Sequence, residues 1–262
     1  MSWNVHSMVG TDRRRDPERI ARVIRDVAPD VAGLQEVGTP LGPRDPPDPA
    51  QALGAYTGMH AAFGPTMHHR QGFAYGNAVL SRSPIAAVRS YDLSVSGREP
   101  RGCVRADVEV GGIVVHFFAA HLGLHWRERR RQAAQLLSAD ILRDAALAHP
   151  LVLVGDFNSY SNRSAVPRWL RRQLVDCALA VRNEAPTFPA FFPLLRLDHC
   201  YVDAAFDVRS VDVVRTTLAR GASDHLPLVV ELDVLPVARR PPAPRLIEAA
   251  GVSTRVGGRP GG

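Results

Sequence analysis

The stretch at residues 151–160, LVLVGDFNSY, ends an apolar run with an acid and an amide. Asp156 and Asn158 lie two apart, so in an extended chain both side chains point the same way and Phe157 points opposite. A run as apolar as residues 150–154 suits a strand covered on both faces. A carboxylate left unpaired behind such a strand is costly. Two polar groups aimed together from a strand's carboxyl end therefore mark a candidate site.

The pattern recurs along the chain. Asn4 follows Trp3 in a first strand, Glu36 ends a second, His121 ends IVVHFFAAH, Asp198 lies in RLDH, and Ser223-Asp224-His225 precedes the last strand. Singly, each has a plain explanation as a cap, a turn residue or a satisfied core histidine. The same feature at six strand ends is harder to set aside. Carboxylates, amides and imidazoles from separate strands suit a hard divalent cation, Mg²⁺ or Mn²⁺, that takes few protein oxygens and keeps positions for water and phosphate. Zinc fits poorly, because no His/Cys cluster with close spacing appears. No G-x-S-x-G elbow supports a serine hydrolase, and no P-loop or G-x-G-x-x-G opens a helix.

These strand ends need a scaffold. Asp16 can cap a helix with Pro17 at its first position, and Ile20, Val23, Ile24 and Val27 supply its apolar face. Residues 30–34 read as a buried strand, and the proline- and glycine-rich 38–54 as a loop. Strands are expected at 74–80, 104–110 and 113–120, the last two joined through Gly111-Gly112. A long helix over 126–148 would turn Ala133, Ala134, Leu137, Ile141 and Ala145 inward and its arginines outward. A helix near 166–174 and strands near 197–202, 208–214 and 226–234 complete a single α/β domain over residues 1–236. The Pro/Gly/Arg-rich tail, 237–262, reads as disordered.

Composition sets the class. The 262 residues are 45% hydrophobic and 22% charged, with a formal charge of +6 and no lysine, so all 32 basic residues are arginine. Net positive charge suits an anionic substrate. No aromatic residues interleave with the arginine clusters as a base-stacking surface would require. Cys103, Cys177 and Cys200 lack ligand spacing and read as buried thiols of a reducing compartment. With no signal peptide and no spanning segment, a cytoplasmic monomer without an obligate protein partner is expected. Leu41 and Leu53 in the proline-rich loop either touch a membrane surface peripherally or pack inward.

In order, WNVH, LQEV, GNAVLSRSPI, REPRG, HLGL, GDFN, RLDH and SDHLPL resemble the motifs of the endonuclease/exonuclease/phosphatase (DNase I-like) superfamily, over residues 2–232. The segments TFPAFFPLLRLDHCYV and HLGLHWRERRRQAAQLL are most similar to its short bacterial YbhP-like branch. The resemblance implies a four-layer α/β sandwich: two mixed, mostly antiparallel sheets face to face, with helices on the outer faces. It also implies Mg²⁺-dependent hydrolysis of a phosphodiester or phosphomonoester by an activated water.

Carried over residue by residue, the resemblance makes Glu36 a metal ligand with Asn4 beside it, and Asp224 a ligand of a second site. Asp156 orients or deprotonates the water, and Asn158 donates to the phosphoryl group. Asp198 and His225 form a carboxylate–imidazole pair in which His225 acts as general base or stabilises the transition state, and His121 is a candidate acid toward the leaving oxygen. Arg101, Arg98 and Asn77 would bind the substrate, the arginines clamping phosphate. Asn77 stands where family nucleases often carry tyrosine or glutamate, with Tyr75 nearby, and His199 stands where arginine or tyrosine is commoner. A phospholipid-derived or small phosphoester is the first substrate expected. The alternatives are DNA or RNA, and a non-catalytic binding module; the module is disfavoured because Glu36, Asp156, Asn158, Asp224 and His225 are all present.

Overall fold

Local chemistry sets several elements before packing does. In this computed structural model, which describes residues 1–38, 48–68, 74–147 and 150–236, helix α1 (Pro17–Val27) begins as expected: the Asp16 side chain accepts from Arg19 N. Its buried face is Ile20, Ala21, Val23 and Ile24. Strands β6 (Gly102–Val110) and β7 (Ile113–His121) form the hairpin through Gly111 and Gly112, both at positive φ.

The other elements are β1 (Ser2–Asn4), β2 (Val31–Gly38), α2 (Pro49–Thr57), β3 (His60–His68), β4 (Ala74–Ser81), β5 (Ile85–Asp92), α3 (Trp126–Leu136), β8 (Leu151–Asp156), α4 (Ala165–Leu170), β9 (Val175–Asp176), α5 (Cys177–Ala180), β10 (Asp198–Val202), β11 (Phe206–Val213), α6 (Thr217–Ala222) and β12 (Leu228–Val234). They form two six-stranded sheets, ordered β11-β12-β1-β2-β4-β3 and β5-β6-β7-β8-β10-β9. Only β1–β2 and β7–β8 pair in parallel; the other pairings are antiparallel.

Three apolar layers give the four-layer sandwich. Between the sheets, Val79 and Leu228 of the first meet Val104, Phe117, Val152 and Val202 of the second. Outside the first sheet, Ile20 and Ile24 of α1 and Leu53 of α2 pack with Trp3 and Leu34. Outside the second, Ala133 and Leu136 of α3 and Val166 and Leu170 of α4 cover Phe118 and Leu153.

Four expectations are corrected. Helix α2 occupies the end of the stretch read as a loop, because Asp48 accepts from Ala50 N and Gln51 N and Pro49 takes the first turn. Leu53 is fully buried on that helix and cannot touch a membrane; Leu41 and the 237–262 tail lie outside the described residues. Helix α3 stops at Leu136, where Ser138 Oγ takes Asp140 N in place of the helical ladder. Ile141 still turns inward, whereas Ala134 and Ala145 are exposed and Arg129 is buried. Strands β3 and β5 escaped the sequence: β3 carries Gly64 and Pro65, and β5 is an edge strand with few buried residues and no alternation to read.

Gly155 fixes how closely β7 and β8 approach. A Cβ there would sit 1.9 Å from the Ala120 carbonyl oxygen, a backbone atom with no rotamer to escape into. Gly155→Ala should therefore separate the two central strands and lower stability in urea unfolding by about 3 kcal/mol. An unchanged midpoint would show that the pair can slide apart at little cost.

Candidate active site

Pairing direction decides where the polar strand ends fall. In a parallel pair two carboxyl ends lie side by side; in an antiparallel pair one strand's end meets its neighbour's start. Asn4 and Glu36 therefore share the carboxyl edge of β1–β2, and His121 and Asp156 that of β7–β8, where they are in register. Asp198 opens β10 directly opposite Asp156. Asp224 and His225 precede β12, which runs antiparallel beside β1. The face-to-face sheets bring both edges together.

Contacts across this junction are close. Asn4 Nδ2 donates to Glu36 Oε1 at 2.9 Å and to Asp156 Oδ2 at 3.1 Å, linking the two sheets. His225 Nδ1 lies 2.8 Å from Asp198 Oδ2, and its Nε2 lies 3.6 Å from Asp156 Oδ2. His121 Nε2 is 3.7 Å from Asp156 Oδ2 and 4.0 Å from Glu36 Oε1. Glu36 reaches the junction at φ 55°, in a bulge of β2 between Leu34 and Val37. Asn158 sits at φ 48° with its own N–H on Asp156 Oδ1 at 2.9 Å. Left-handed backbone at two non-glycine residues is strain that the surrounding structure must hold.

Other expected residues fall less centrally. The Asn158 side-chain amide donates to Leu122 O at 2.9 Å and meets His121 Nε2 at 3.3 Å, so here it positions His121 and its hydrogens are engaged. Asp224 faces His6 at 3.9 Å and is 41% exposed, at the margin. Asn77 donates to Gly102 O at 2.8 Å, tying β4 to β6 across the sandwich opposite the Glu36 bulge. Arg101 is buried and paired with Glu99 at 2.7 Å. With Arg98, Glu99, Leu124, His125 and Glu128 it lines a cleft of about 400 Å³.

Two contributors were not singled out from sequence. Thr187 Oγ1 donates to Asp198 Oδ2 at 2.5 Å, from a loop eleven residues upstream, which no spacing rule reveals. Phe188 packs its ring 4.8 Å from that of His225. Tyr75, weighed only as a neighbour of Asn77, shares a hydrogen bond with Glu36. Trp3 donates from Nε1 to His225 O at 2.8 Å, fixing the histidine's backbone from β1.

The two imidazoles differ in charge. Burial, reinforced by Arg101 and the neighbouring His225, holds His121 well below the usual histidine range and keeps it neutral. Burial also opposes charge on His225, but Asp198, through charge and hydrogen bond, and then Asp156 outweigh it and raise the ring to about 10. On these directions His225 holds a proton to donate, where the sequence resemblance implies a base or transition-state role for it and the acid role for His121. Burial pushes the Asp156 carboxyl up to about 7, against the pull of His225 and the Asn158 and Asn4 hydrogen bonds.

The donors around the junction fit a hard cation. They are the carboxylate oxygens of Glu36 and Asp156, to which Asn4 turns its Nδ2 while its Oδ1 accepts from His6 N, and a buried carboxylate such as Asp156 gains most from a compensating positive charge. Among the described residues no three His, Cys, Asp or Glu side chains gather to hold a metal by themselves.

One surface reading also changes. Arg127 and Arg130 lie 5.0 and 5.9 Å from the Trp126 ring, Arg130 lies 5.4 Å from Trp169, and Arg129 5.5 Å from Tyr160. Arginine and aromatic side chains do interleave, because folding brings Tyr160 and Trp169 to the α3 arginines. The three cysteines are buried thiols, and no helix among the described residues is long and apolar enough to cross a membrane.

Comparison with known proteins converges on one group. The model of the Endonuclease/Exonuclease/phosphatase family matches residues 1–225. The YbhP protein of Escherichia coli (strain K12) is 32% identical over 244 residues, covering 88% of this chain and 94% of that protein. An endonuclease/exonuclease/phosphatase structure from Beutenbergia cavernae superposes with a TM-score of 0.71 at 26% identity, covering 89% of this chain and 70% of the other. The mannosyl-6-phosphatase Bt3783 of Bacteroides thetaiotaomicron shares the fold at a TM-score of 0.68 and 19% identity, covering 88% and 98%.

The charged His225–Asp198 pair makes stability depend on pH in a defined direction. The folded chain holds the His225 proton up to about 10, against 6.5 for an ordinary histidine, so this contribution is complete below pH 6.5 and lost as pH rises toward 10. Asp156, also raised, acts in the same direction, its contribution declining from its ordinary 3.8 through about 7. Urea midpoints measured in EDTA should fall more steeply between pH 6.5 and 10 for wild type than for His225→Gln. Parallel curves would mean that the pair carries no such charge.

Proposed function

Because the chain belongs to the Endonuclease/Exonuclease/phosphatase family, we propose that it hydrolyses a phosphoester bond with a divalent cation and an activated water. The observation that carries this reading is the row Asp198–His225–Asp156, joined to Glu36 through the Asn4 amide. Glu36 and Asn4, with Asp224 at the margin, would hold the cation, Mg²⁺ or Mn²⁺. When bound, the cation supplies positive charge to the phosphoryl oxygens.

The chain's own groups divide the remaining work. Asp156, with its carboxyl raised by burial, takes the proton of the attacking water, since a base titrating near neutrality is efficient. His225, held charged by Asp198, donates to the oxygen that departs as the old phosphorus–oxygen bond breaks. Asp198 and Thr187 fix the ring so that Nε2 faces the reacting centre. His121 stays neutral, oriented by Asn158, and places an uncharged wall beside Asp156. Arg98 and Arg101 line the adjoining cleft beside Glu99 and Glu128, and their N–H groups would hydrogen-bond the substrate's anionic remainder.

For the substrate, a phospholipid-derived or small phosphoester is the first reading; the cleft between Arg101 and Leu124 offers both charge and apolar surface. A second reading, DNA or RNA, is favoured by the arginines on Trp126, Tyr160 and Trp169, since aromatic faces beside cations bind single strands.

Hydrolysis of bis(p-nitrophenyl) phosphate and p-nitrophenyl phosphate should require Mg²⁺ or Mn²⁺ and stop in EDTA. Asp156→Ala and His225→Ala should each lose about 10²–10⁴-fold in kcat. Undiminished turnover in either variant would remove that residue from the chemistry. No turnover and no metal-induced rise in Tm would sink the reading.

A further inference from the structure

Ten large hydrophobic side chains are exposed among the described residues, and six of them crowd one edge: Leu124, Trp126, Tyr160, Phe191, Phe192 and Leu194. All six lie in segments that leave or enter the site ends of β7, β8 and β10. Those strands are neighbours, with His121, Asp156 and Asp198 in one row across them. Leu124 and Trp126 follow His121, Tyr160 follows Asn158, and the remaining three precede Asp198. Phe191 is 74% exposed, Leu194 66% and Leu124 65%.

The loop at 188–195 is held firmly. Its ends close on each other through Phe188 N and Leu195 N, each bonded to the other's oxygen at 3.0 and 2.8 Å. Ala190 N donates to Asp224 O at 2.7 Å, and Arg220 donates to Ala190 O and Phe191 O. Phe188 rests on His225. A loop this well tied, presenting two phenyl rings and a leucine to water beside a reactive centre, has an interaction to make.

Charge and shape narrow the partner. Exposed Arg127 and Arg130 lie on the Trp126 ring, and exposed Arg98 borders the cleft next to Leu124. Aromatic rings and arginines suit the headgroup level of a bilayer, while Phe and Leu suit the acyl boundary beneath. Single-stranded nucleic acid would explain the tryptophan and tyrosine but not two exposed leucines, which have no face for a base to stack on. We propose that the 188–195 loop, with Leu124 and Trp126, docks this edge on an anionic phospholipid surface. Resting on the phosphoesterase reading, the same contact presents a lipid phosphoester to Asp156 and His225.

Co-sedimentation with phosphatidylcholine vesicles, with and without phosphatidylglycerol, tests the docking apart from catalysis. Wild type should bind the phosphatidylglycerol vesicles. The triple variant Phe191→Ser, Phe192→Ser, Leu194→Ser should bind them about tenfold more weakly or worse, because three apolar side chains leave the interface. Val114→Ser, at the opposite end of β7, should bind like wild type. Absence of wild-type binding, an undiminished triple variant, an equal loss in Val114→Ser, or capture of a single-stranded oligonucleotide but not vesicles would each overturn the inference. Wild-type turnover of bis(p-nitrophenyl) phosphate, measured alongside, reports on the chemistry alone. Turnover without vesicle binding overturns the docking and leaves the phosphoesterase reading standing; vesicle binding without turnover upholds the docking and counts against that reading.

Discussion

A carboxylate that is 2% exposed must be satisfied from within, and Asp156 meets four groups drawn from both sheets. Asn4 comes from the first sheet, His225 from the segment before that sheet's last strand, and His121 from the neighbouring strand. Asn158 turns its backbone back from two residues on. None of these groups is near another in sequence, apart from Asn158. Asn4 and His225 meet Asp156 only when both sheets have their register and the layer of valines between them is packed. The cost of burying that charge is thus tied to the fold as a whole, and the same burial makes the group a base near neutrality.

Much of this was legible in the chain. The strand ends declared themselves because Asp, Asn and His are poor continuations of apolar runs, and Asp156 with Asn158 shares one direction by simple alternation. Helix α1 and the Gly111-Gly112 hairpin were equally open, since capping and turn chemistry act within a few residues. What escaped depended on distance. Thr187 reaches Asp198 from a loop, Tyr160 and Trp169 meet arginines of another helix, and Arg129 is buried by donating to the Gly123 and Leu124 carbonyls. Helix α2 was hidden by the prolines and glycines around it, although Asp48-Pro49 is a start signal that outweighed the local composition.

The site also shows where backbone and function disagree. Glu36 and Asn158 adopt a left-handed conformation that glycine would accept more easily, yet only their side chains can serve the junction. The bulge that opens β2 at Glu36 breaks the ladder between Leu34 and Val37, and Tyr75 and Asn77 on β4 lie across the gap.

Sheet membership bears on how the chain assembles. The second sheet, β5 to β10, is drawn from one continuous stretch, 85–202, whereas the first joins β1–β4 to β11 and β12. In that first sheet the three-residue β1 lies between β2 and β12. The second sheet can condense through largely sequential pairings; the first closes only when a segment more than two hundred residues downstream returns to Ser2. His225 arrives with that closing strand. On a ribosome, the scaffold of Asp156 and His121 can form while His225 is still unsynthesised, so the junction between the two sheets is completed late in synthesis.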